Sequence, residues 1–432
     1  MIRFRKRFDM NSRTYYGEYS LKHWLQLMLS GNIVLPDYQR SFVWKDPDMK
    51  RLIKSFSEKQ FVPPVTLALF NSKTQNINTN LIIDGQQRLT TILLLYLGFV
   101  PDLDKFEKDD VIATGDDSSE DETVGTDTSS KSKTPVKWTF RELFADDSAE
   151  NTIERIRIRL STDNRYYEFK YEGLRKDFFD KTFLGFSYII PESNNDAEIQ
   201  NSYTQLFRNI NYFGAHLSVV ESRRSLYYMK SQYLNYFEGQ LEDKTDVLCG
   251  IKLLEKMKHV KIDFVRYLSV LSQYTILDAK SKDKVLKWYS AYSSRESFYS
   301  DYVSYIVGVE QEDNVEKFNG FDFETTFPNE CWKQRFVVLH NAISTLTPNL
   351  GLNKDNAFTS WIDADYWLFG LVYYIVFDGK NLINDRTLLV EQLAKEIKKK
   401  RDDAVYSKSP NRLGNLRERL LKSIEIVGKH VQ

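Results

Sequence analysis

The chain has 432 residues, with 60 Lys+Arg balanced by 60 Asp+Glu: enough length for two or three domains with their own cores, and no net charge that names a polyanionic partner. Two cysteines far apart, Cys249 and Cys331, exclude a disulfide framework and a CxxC metal pair and fit a reducing cytoplasm. The longest apolar run, the 12 residues Tyr366 to Phe377, falls short of the roughly 20 that span a bilayer. The basic stretch Met1 to Phe8 lacks the apolar core of a signal peptide, so a cytoplasmic protein with no membrane partner is expected.

Ser20 is placed to cap a helix reaching Leu29, with Leu21, Trp24, Leu25 and Met28 on one face and Gly31 just past its end. Asn32 to Val43 reads as extended chain carrying Gln39 and Arg40 beside Phe42 and Trp44. Asp46-Pro47 opens the next helix, a capping residue followed by proline, and Met49, Leu52, Ile53 and Phe56 form its apolar stripe. Val65 to Phe70 reads as a strand, Asn71 to Asn80 as a polar loop and Leu81 to Ile83 as a second strand. Asp84-Gly85 breaks that strand, and Leu89 to Leu97 reads as a helix packing back on it.

A strand, a tight turn and a helix make a phosphate cradle in outline, because the first helical N–H groups lack partners and carry partial positive charge. Arg88 in the first turn adds a forked donor suited to phosphate or carboxylate. Asp84 is placed to hold a divalent metal, orient a water or cap the helix. The plain alternative is an ordinary turn with a surface arginine. Two glutamines, an arginine and two threonines in succession are more polar chemistry than such a turn needs.

From Asp102 to Asp127 there are 11 acidic residues against Lys105 and Lys108, followed by a Ser/Thr-rich segment. Such a composition cannot bury enough surface to offset its ordering entropy, so Asp109 to Thr134 is expected to be a flexible insertion. Ile156, Ile158 and Leu160 alternate with Arg155, Arg157 and Arg159, the period of a half-exposed strand whose partner holds Tyr167, Phe169 and Tyr171. That arginine face suits a nucleic-acid backbone, or cross-strand pairing with Glu154, Glu168 and Glu172. A helix from Asn195 or Asp196 to Phe207, a loop over Asn209 to Gly214 and a capping box of Ser218 with Glu221 follow.

Beyond residue 230 the reading is helical: Leu226 to Phe237, Val247 to Met257, Phe264 to Leu277, Val285 to Tyr292, Phe298 to Val307, Trp332 to Leu346 and Tyr366 to Phe377. Gln392 to Gln432 holds 11 Lys+Arg against 5 Asp+Glu. Lys398 to Arg401, Arg412, Arg417, Arg419 and Lys422 form either a basic face for DNA or RNA or a solvated helix surface. There is no GxxxxGK[ST] loop, no Ser/His/Asp or Cys/His nucleophile set, and none of the five histidines stands in a His-metal nuclease context.

Asp84-Gly85-Gln86-Gln87-Arg88-Leu89-Thr90-Thr91 resembles the DGQQR-x-T signature of the N-terminal domain of GmrSD-type restriction endonucleases. Leu35-Pro36-Asp37-Tyr38-Gln39-Arg40-Ser41-Phe42-Val43-Trp44 is similar to that family's P-x-x-Q-R-x-x-x-W motif. Phe207-Arg208-Asn209-Ile210-Asn211, with Gly214, Leu217, Ser218 and Glu221, resembles its F-x-R-I-N-x-x-G-x-x-L-x-x-x-E block, with the arginine displaced by one place. The resemblance implies an α+β chain: a ParB/sulfiredoxin-like domain over residues 1–230, interrupted at about 102–137, and a mainly α-helical region over 231–432 with a basic tail.

It also implies an NTP with Mg²⁺ as cofactors, Asp84 as metal ligand, and Asp84, Gln86, Gln87 and Arg88 as the catalytic set of a nucleoside triphosphatase. Gln39, Arg40, Gly85, Arg88, Thr90, Arg208, Asn209 and Asn211 would bind the nucleotide and its phosphates. Full-length members often carry a second, histidine-metal nuclease domain, so the partners implied are a separate effector or nuclease subunit, and DNA. The competing readings are a metal-dependent nuclease using the same turn, and a non-catalytic DNA-binding scaffold.

Overall fold

The computed structural model describes residues 12–35, 41–72, 77–107, 111–113, 136–145, 150–191, 233–249, 260–277, 295–308, 320–346 and 361–432, with isolated positions between them. Gln39, Arg40, Arg208, Asn209 and Asn211, the expected helix before Phe207 and the Ser218–Glu221 capping box lie outside the described residues. Contacts divide the chain into two units, Met1–Asp109 with Thr134–Ser225, and Asp110–Lys133 with Leu226–Gln432.

The first unit is built on a five-stranded mixed sheet. Its strands are β1 (Ser12–Ser20), β2 (Ile33–Val34), β3 (Val65–Ser72), β4 (Ile77–Asp84) and β8 (Phe183–Pro191), in the order β1-β8-β3-β4-β2. β1 runs antiparallel to β8, β8 parallel to β3, β3 antiparallel to β4 and β4 parallel to β2. One face is covered by α1 (Leu21–Leu29), α2 (Asp46–Ser57) and α3 (Gln86–Leu97), whose apolar side chains share a core with Val65, Leu67, Ile82 and Leu184.

The local chemistry accounts for these helices. Ser20 accepts a hydrogen bond from the His23 N–H and starts α1, and Leu21, Trp24, Leu25 and Met28 are buried, as the spacing predicts. The Trp24 indole N–H donates to the Leu184 carbonyl at 3.1 Å, tying α1 to β8. In α2 the stripe of Met49, Leu52, Ile53 and Phe56 is buried, but Asp46 occupies the first helical position rather than the cap. α3 ends at Gly98, whose φ of +78° is the left-handed cap that glycine adopts without cost.

Three sequence expectations fail here. The polar loop Asn71 to Asn80 is mostly ladder, since β3 and β4 pair out to Ser72↔Ile77. The Ile/Arg alternation is a helix, α4 (Ile153–Thr162), capped by the Thr152 side chain. Ile156 and Leu160, one turn apart, are buried, whereas Ile158 is 65 % exposed. A six-residue window fits both periods; the cap decides between them. Its arginines serve the fold: Arg157 donates to the Leu97 and Tyr96 carbonyls at the end of α3, and Arg159 to the Leu143 carbonyl at 2.7 Å. The strand β7 (Tyr166–Glu168) pairs instead with β5 (Phe99–Pro101).

The third failure lies in the acidic insertion. Val111–Ala113 forms a short strand, β6, parallel to β9 (Val260–Ile262) within the second unit, so this part of the expected flexible segment is structured.

The second unit is mainly helical. Its elements are α6 (Leu234–Glu238), α7 (Phe264–Thr275), α8 (Arg295–Val307), α9 (Phe323–Thr326), α10 (Trp332–Leu346), α11 (Trp361–Leu371), α12 (Thr387–Asp402), α13 (Ala404–Lys408) and α14 (Leu413–Val427); in the first unit α5 is Phe178–Lys181. The run Tyr366 to Phe377 is buried, split between α11 and a π-helical turn over Val372–Phe377. Among the described residues no helix is long and apolar enough to cross a membrane.

Aromatics dominate the second core, and their polar ends are joined. Tyr236 and Tyr302 hydroxyls lie 2.8 Å apart and Ser272 donates to Tyr302 at 2.9 Å; burial raises both phenols' pKa values. Asp365 is fully buried, bridged by Arg266 and Arg419 and hydrogen-bonded by the Tyr267 hydroxyl at 2.9 Å. The basic tail is thereby partly spent internally. Arg419 is fully buried on Asp365, Arg401 pairs with Asp363, Lys400 with Glu418, and Lys422 and Lys429 with Glu425.

Candidate functional site

β4 delivers Asp84 to the end of the sheet, and Gly85 turns the chain into α3. Gly85 sits at φ +98° and ψ 8°, a left-handed conformation at the helix N-cap. A Cβ there would stand 2.9 Å from Val65 Cγ2, 3.2 Å from Val65 Cα and 3.1 Å from Arg88 Nη2. Glycine is therefore required twice, for its backbone angle and for close packing against β3. Without a side chain at the cap, the start of α3 keeps the partial positive charge of a helix N-terminus.

Asp84 does not cap the helix. Its Oδ2 accepts from Arg88 Nη2 at 2.7 Å, and the same Nη2 donates to the Pro64 carbonyl at 3.2 Å. The Arg88 side chain is 15 % exposed and that of Asp84 is 40 % exposed, so the pair stands at the surface with the guanidinium on the inner side. Arg88 Nε is buried with no hydrogen-bond partner among the described residues. An anion entering this turn meets a guanidinium already engaged by one carboxylate.

The two glutamines point inward. Gln87 is buried, and its amide is used at both ends: Oε1 accepts from the Val43 N–H at 3.0 Å, and Nε2 donates to the Ser41 carbonyl at 3.1 Å. Between them Phe42 donates its N–H to the Trp138 carbonyl at 2.7 Å and packs its ring edge-on to Trp138. Gln87 thus fastens residues 41–43 to the first turn of α3, and residue 41 directly follows Arg40. Gln86 is buried and Thr90 is fully buried, which places both against the interior. Thr91 bonds its own helix, donating to the Gln87 carbonyl at 2.8 Å.

The structure therefore brings Asp84 and Arg88 together, both half-buried, around the buried Gly85 turn, and sets Gln86, Gln87 and Thr90 behind them as support. The clamp by Gln87 and the contact to the Pro64 carbonyl were not foreseen, because residues 41 and 43 stand 46 and 44 positions from Gln87 and no local window holds both. Among the described residues, no group of three or more His, Cys, Asp or Glu is arranged to hold a metal ion. Asp84 contributes a single carboxylate at the turn, its Oδ2 engaged by Arg88 Nη2.

Together these features define an α+β domain whose candidate site is a strand–glycine–helix turn with a carboxylate and an arginine at its mouth. Residues 21–228 match the family described as GmrSD restriction endonuclease, N-terminal domain, and this part of the chain belongs to that family. The chain is also similar to Uncharacterized protein MJ0686 of Methanocaldococcus jannaschii, 23 % identical over 264 residues. That alignment covers 50 % of this chain and 43 % of the relative, so the chain spans less than half of it. No solved structure matches the chain.

Proposed function

We propose that the chain is a nucleotide-binding regulatory component of a DNA-directed restriction or phage-defence system, acting with a separate effector or nuclease subunit. The family membership supports the setting, and the Gly85 turn supports the ligand. The carrying observation is the Gln87 clamp, which fastens the segment that follows Gln39 and Arg40 onto the helix turn holding Arg88. In this reading Arg88 and Arg40 hold the phosphates, and Gly85 admits them to the helix N-terminus. Arg208, Asn209 and Asn211 close the pocket. Asp84 would be the protein ligand of a Mg²⁺ bound with the nucleotide, which would offset the phosphate charge. Hydrolysis of the NTP requires only positioning and charge stabilisation of the kind these residues offer.

Isothermal titration of the full chain with each of the four NTPs, with and without Mg²⁺, tests the reading. Saturable heat for at least one NTP, lost in Arg88→Ala, is expected. Absence of heat with every NTP, or an Arg88→Ala variant that binds as well as the parent, refutes it.

A further inference from the structure

The sheet face opposite the helices buries Ala68, Leu81 and Ile83 and carries a polar row beside them. By register Asp84 of β4 lies opposite Thr66 of β3, Thr66 beside Ser187 of β8, and Ser187 opposite Tyr16 of β1. Regular cross-strand partners point to the same face, which sets Thr66, Ser187 and Tyr16 together, and a bulge in the β3–β4 ladder between Thr66 and Leu67 leaves Asp84 at the end of that row. Two observations fix which face this is. Tyr19 and Phe186 stack together and join the core with Trp24, so their neighbours Ser187 and the alternating Tyr16 and Glu18 look the other way. Thr66 Oγ1 and Ser187 Oγ lie 3.1 Å apart, which confirms that their side chains stand side by side.

The row runs from the anion turn outward. It begins with the Asp84 carboxylate beside Arg88, continues with two half-buried hydroxyls, and ends with an aromatic ring that is 79 % exposed. A hydroxyl pair leaves donor and acceptor capacity unused, because each oxygen offers one donor and two acceptor sites. A tyrosine this exposed on a sheet face serves no core. Beside the row, Gly185 of β8 shares the face and lies opposite Glu18, with Pro64 packed close to it, and Phe183 beyond is 52 % exposed. Three strand spacings separate Asp84 from Tyr16, about 14 Å, the scale of a nucleoside extended from its phosphates.

We infer that this row is the nucleoside subsite of the turn: with phosphates at Gly85 and Arg88, the Thr66–Ser187 hydroxyl pair hydrogen-bonds the ribose hydroxyls and Tyr16 stacks on the base. The inference rests on the nucleotide reading of the Gly85 turn. It makes Tyr16 a base-binding residue that tolerates any base, since every base presents a π-face, and leaves discrimination between ribose and deoxyribose to Thr66 and Ser187.

The test compares binding of ATP, GTP, CTP and UTP with binding of inorganic tripolyphosphate, which has charge but no nucleoside. In the parent chain an NTP should bind more tightly than tripolyphosphate. Tyr16→Ala should weaken the NTP by about ten-fold, the lower range of base–aromatic stacking, and leave tripolyphosphate unchanged. Thr66→Val, which keeps the shape and removes the hydroxyl, should reduce the preference for ATP over its 2′-deoxy form. Tyr15→Ala, on the opposite face of the same strand, is the control and should bind as the parent does.

Equal affinities of NTP and tripolyphosphate, or a Tyr16→Ala variant that binds NTP normally, overturn the subsite while sparing the anion turn. A parent chain that binds neither ligand overturns the nucleotide reading and the subsite with it.

Discussion

Replacing Gln87 with leucine separates a scaffolding role from a ligand-orienting one. The side chain makes two hydrogen bonds to the backbone of residues 41–43, at 3.0 and 3.1 Å. Leucine fills similar space and makes neither. Each such bond contributes about 1 kcal/mol net, and the partners left behind are only part-buried, so the local opening free energy should fall by about 2 kcal/mol. At about 1.4 kcal/mol per decade that is roughly a thirty-fold loss of protection at the Val43 amide in native-state hydrogen exchange.

Gln87→Glu sharpens the test. Its carboxylate still accepts from Val43 but faces the Ser41 carbonyl with a lone pair, and only the protonated form can donate there. Opposition from that carbonyl raises the folded-state pKa of the new group. The variant is therefore destabilised at neutral pH and recovers as pH falls toward the unfolded glutamate value of about 4.3. Val43 exchange that is unchanged in Gln87→Leu, or lost equally in Arg88→Ala, refutes the clamp.

Gly85→Ala must place a side chain on a left-handed residue, at about 1–2 kcal/mol, and drive its Cβ to within 2.9 Å of Val65. Destabilisation of about 2–4 kcal/mol in thermal unfolding is expected, and a parent-like melt would show that the turn tolerates Cβ. Asp365→Asn leaves two buried guanidinium groups short of their shared charge and should cost about 3–5 kcal/mol, read as loss of the second unit's transition. Glu425, between Lys422 and Lys429, has its pKa lowered to about 2. Its contribution is present above the ordinary carboxylate pKa and is lost as pH falls from there toward about 2. The site is mostly exposed, so Glu425→Gln should cost under about 1 kcal/mol at pH 7 and nothing at pH 2 in paired melts.

Elements with a cap and a stripe were legible in the sequence. Ser20 and the Leu21–Met28 stripe specify α1 within nine residues, and Gly85 and Gly98 bracket α3. For α4 the deciding signal was present but local: Thr152 ahead of Ile153, Ile156 and Leu160 spells a capped helical stripe, and the alternating arginines obscured it. What no local window contains is a partner far along the chain. Arg419 reads as part of a basic surface until Asp365, 54 residues earlier, is placed beside it. Gln87 reads as a ligand-facing amide until residues 41–43 are laid against it, 44 to 46 positions away. Residue types at the turn were readable because glycine and arginine advertise their uses; the division between front and support was not.

That division makes Asp84 the decisive residue. Its carboxylate holds Arg88 Nη2 at 2.7 Å, so a phosphate without metal must compete with it for the guanidinium, whereas a Mg²⁺ nucleotide can recruit it. Asp84→Asn removes the competitor and the metal ligand together, and the two effects have opposite signs. A partly exposed ion pair of this spacing is worth about 0.3–1 kcal/mol. Affinity for nucleotide without Mg²⁺ should therefore rise about two- to five-fold in Asp84→Asn, while the gain that Mg²⁺ confers on the parent chain should disappear. Titrations of parent and variant in chelator and in Mg²⁺ measure both. Weaker metal-free binding in the variant would mean that Asp84 positions Arg88 for the anion rather than withholding it.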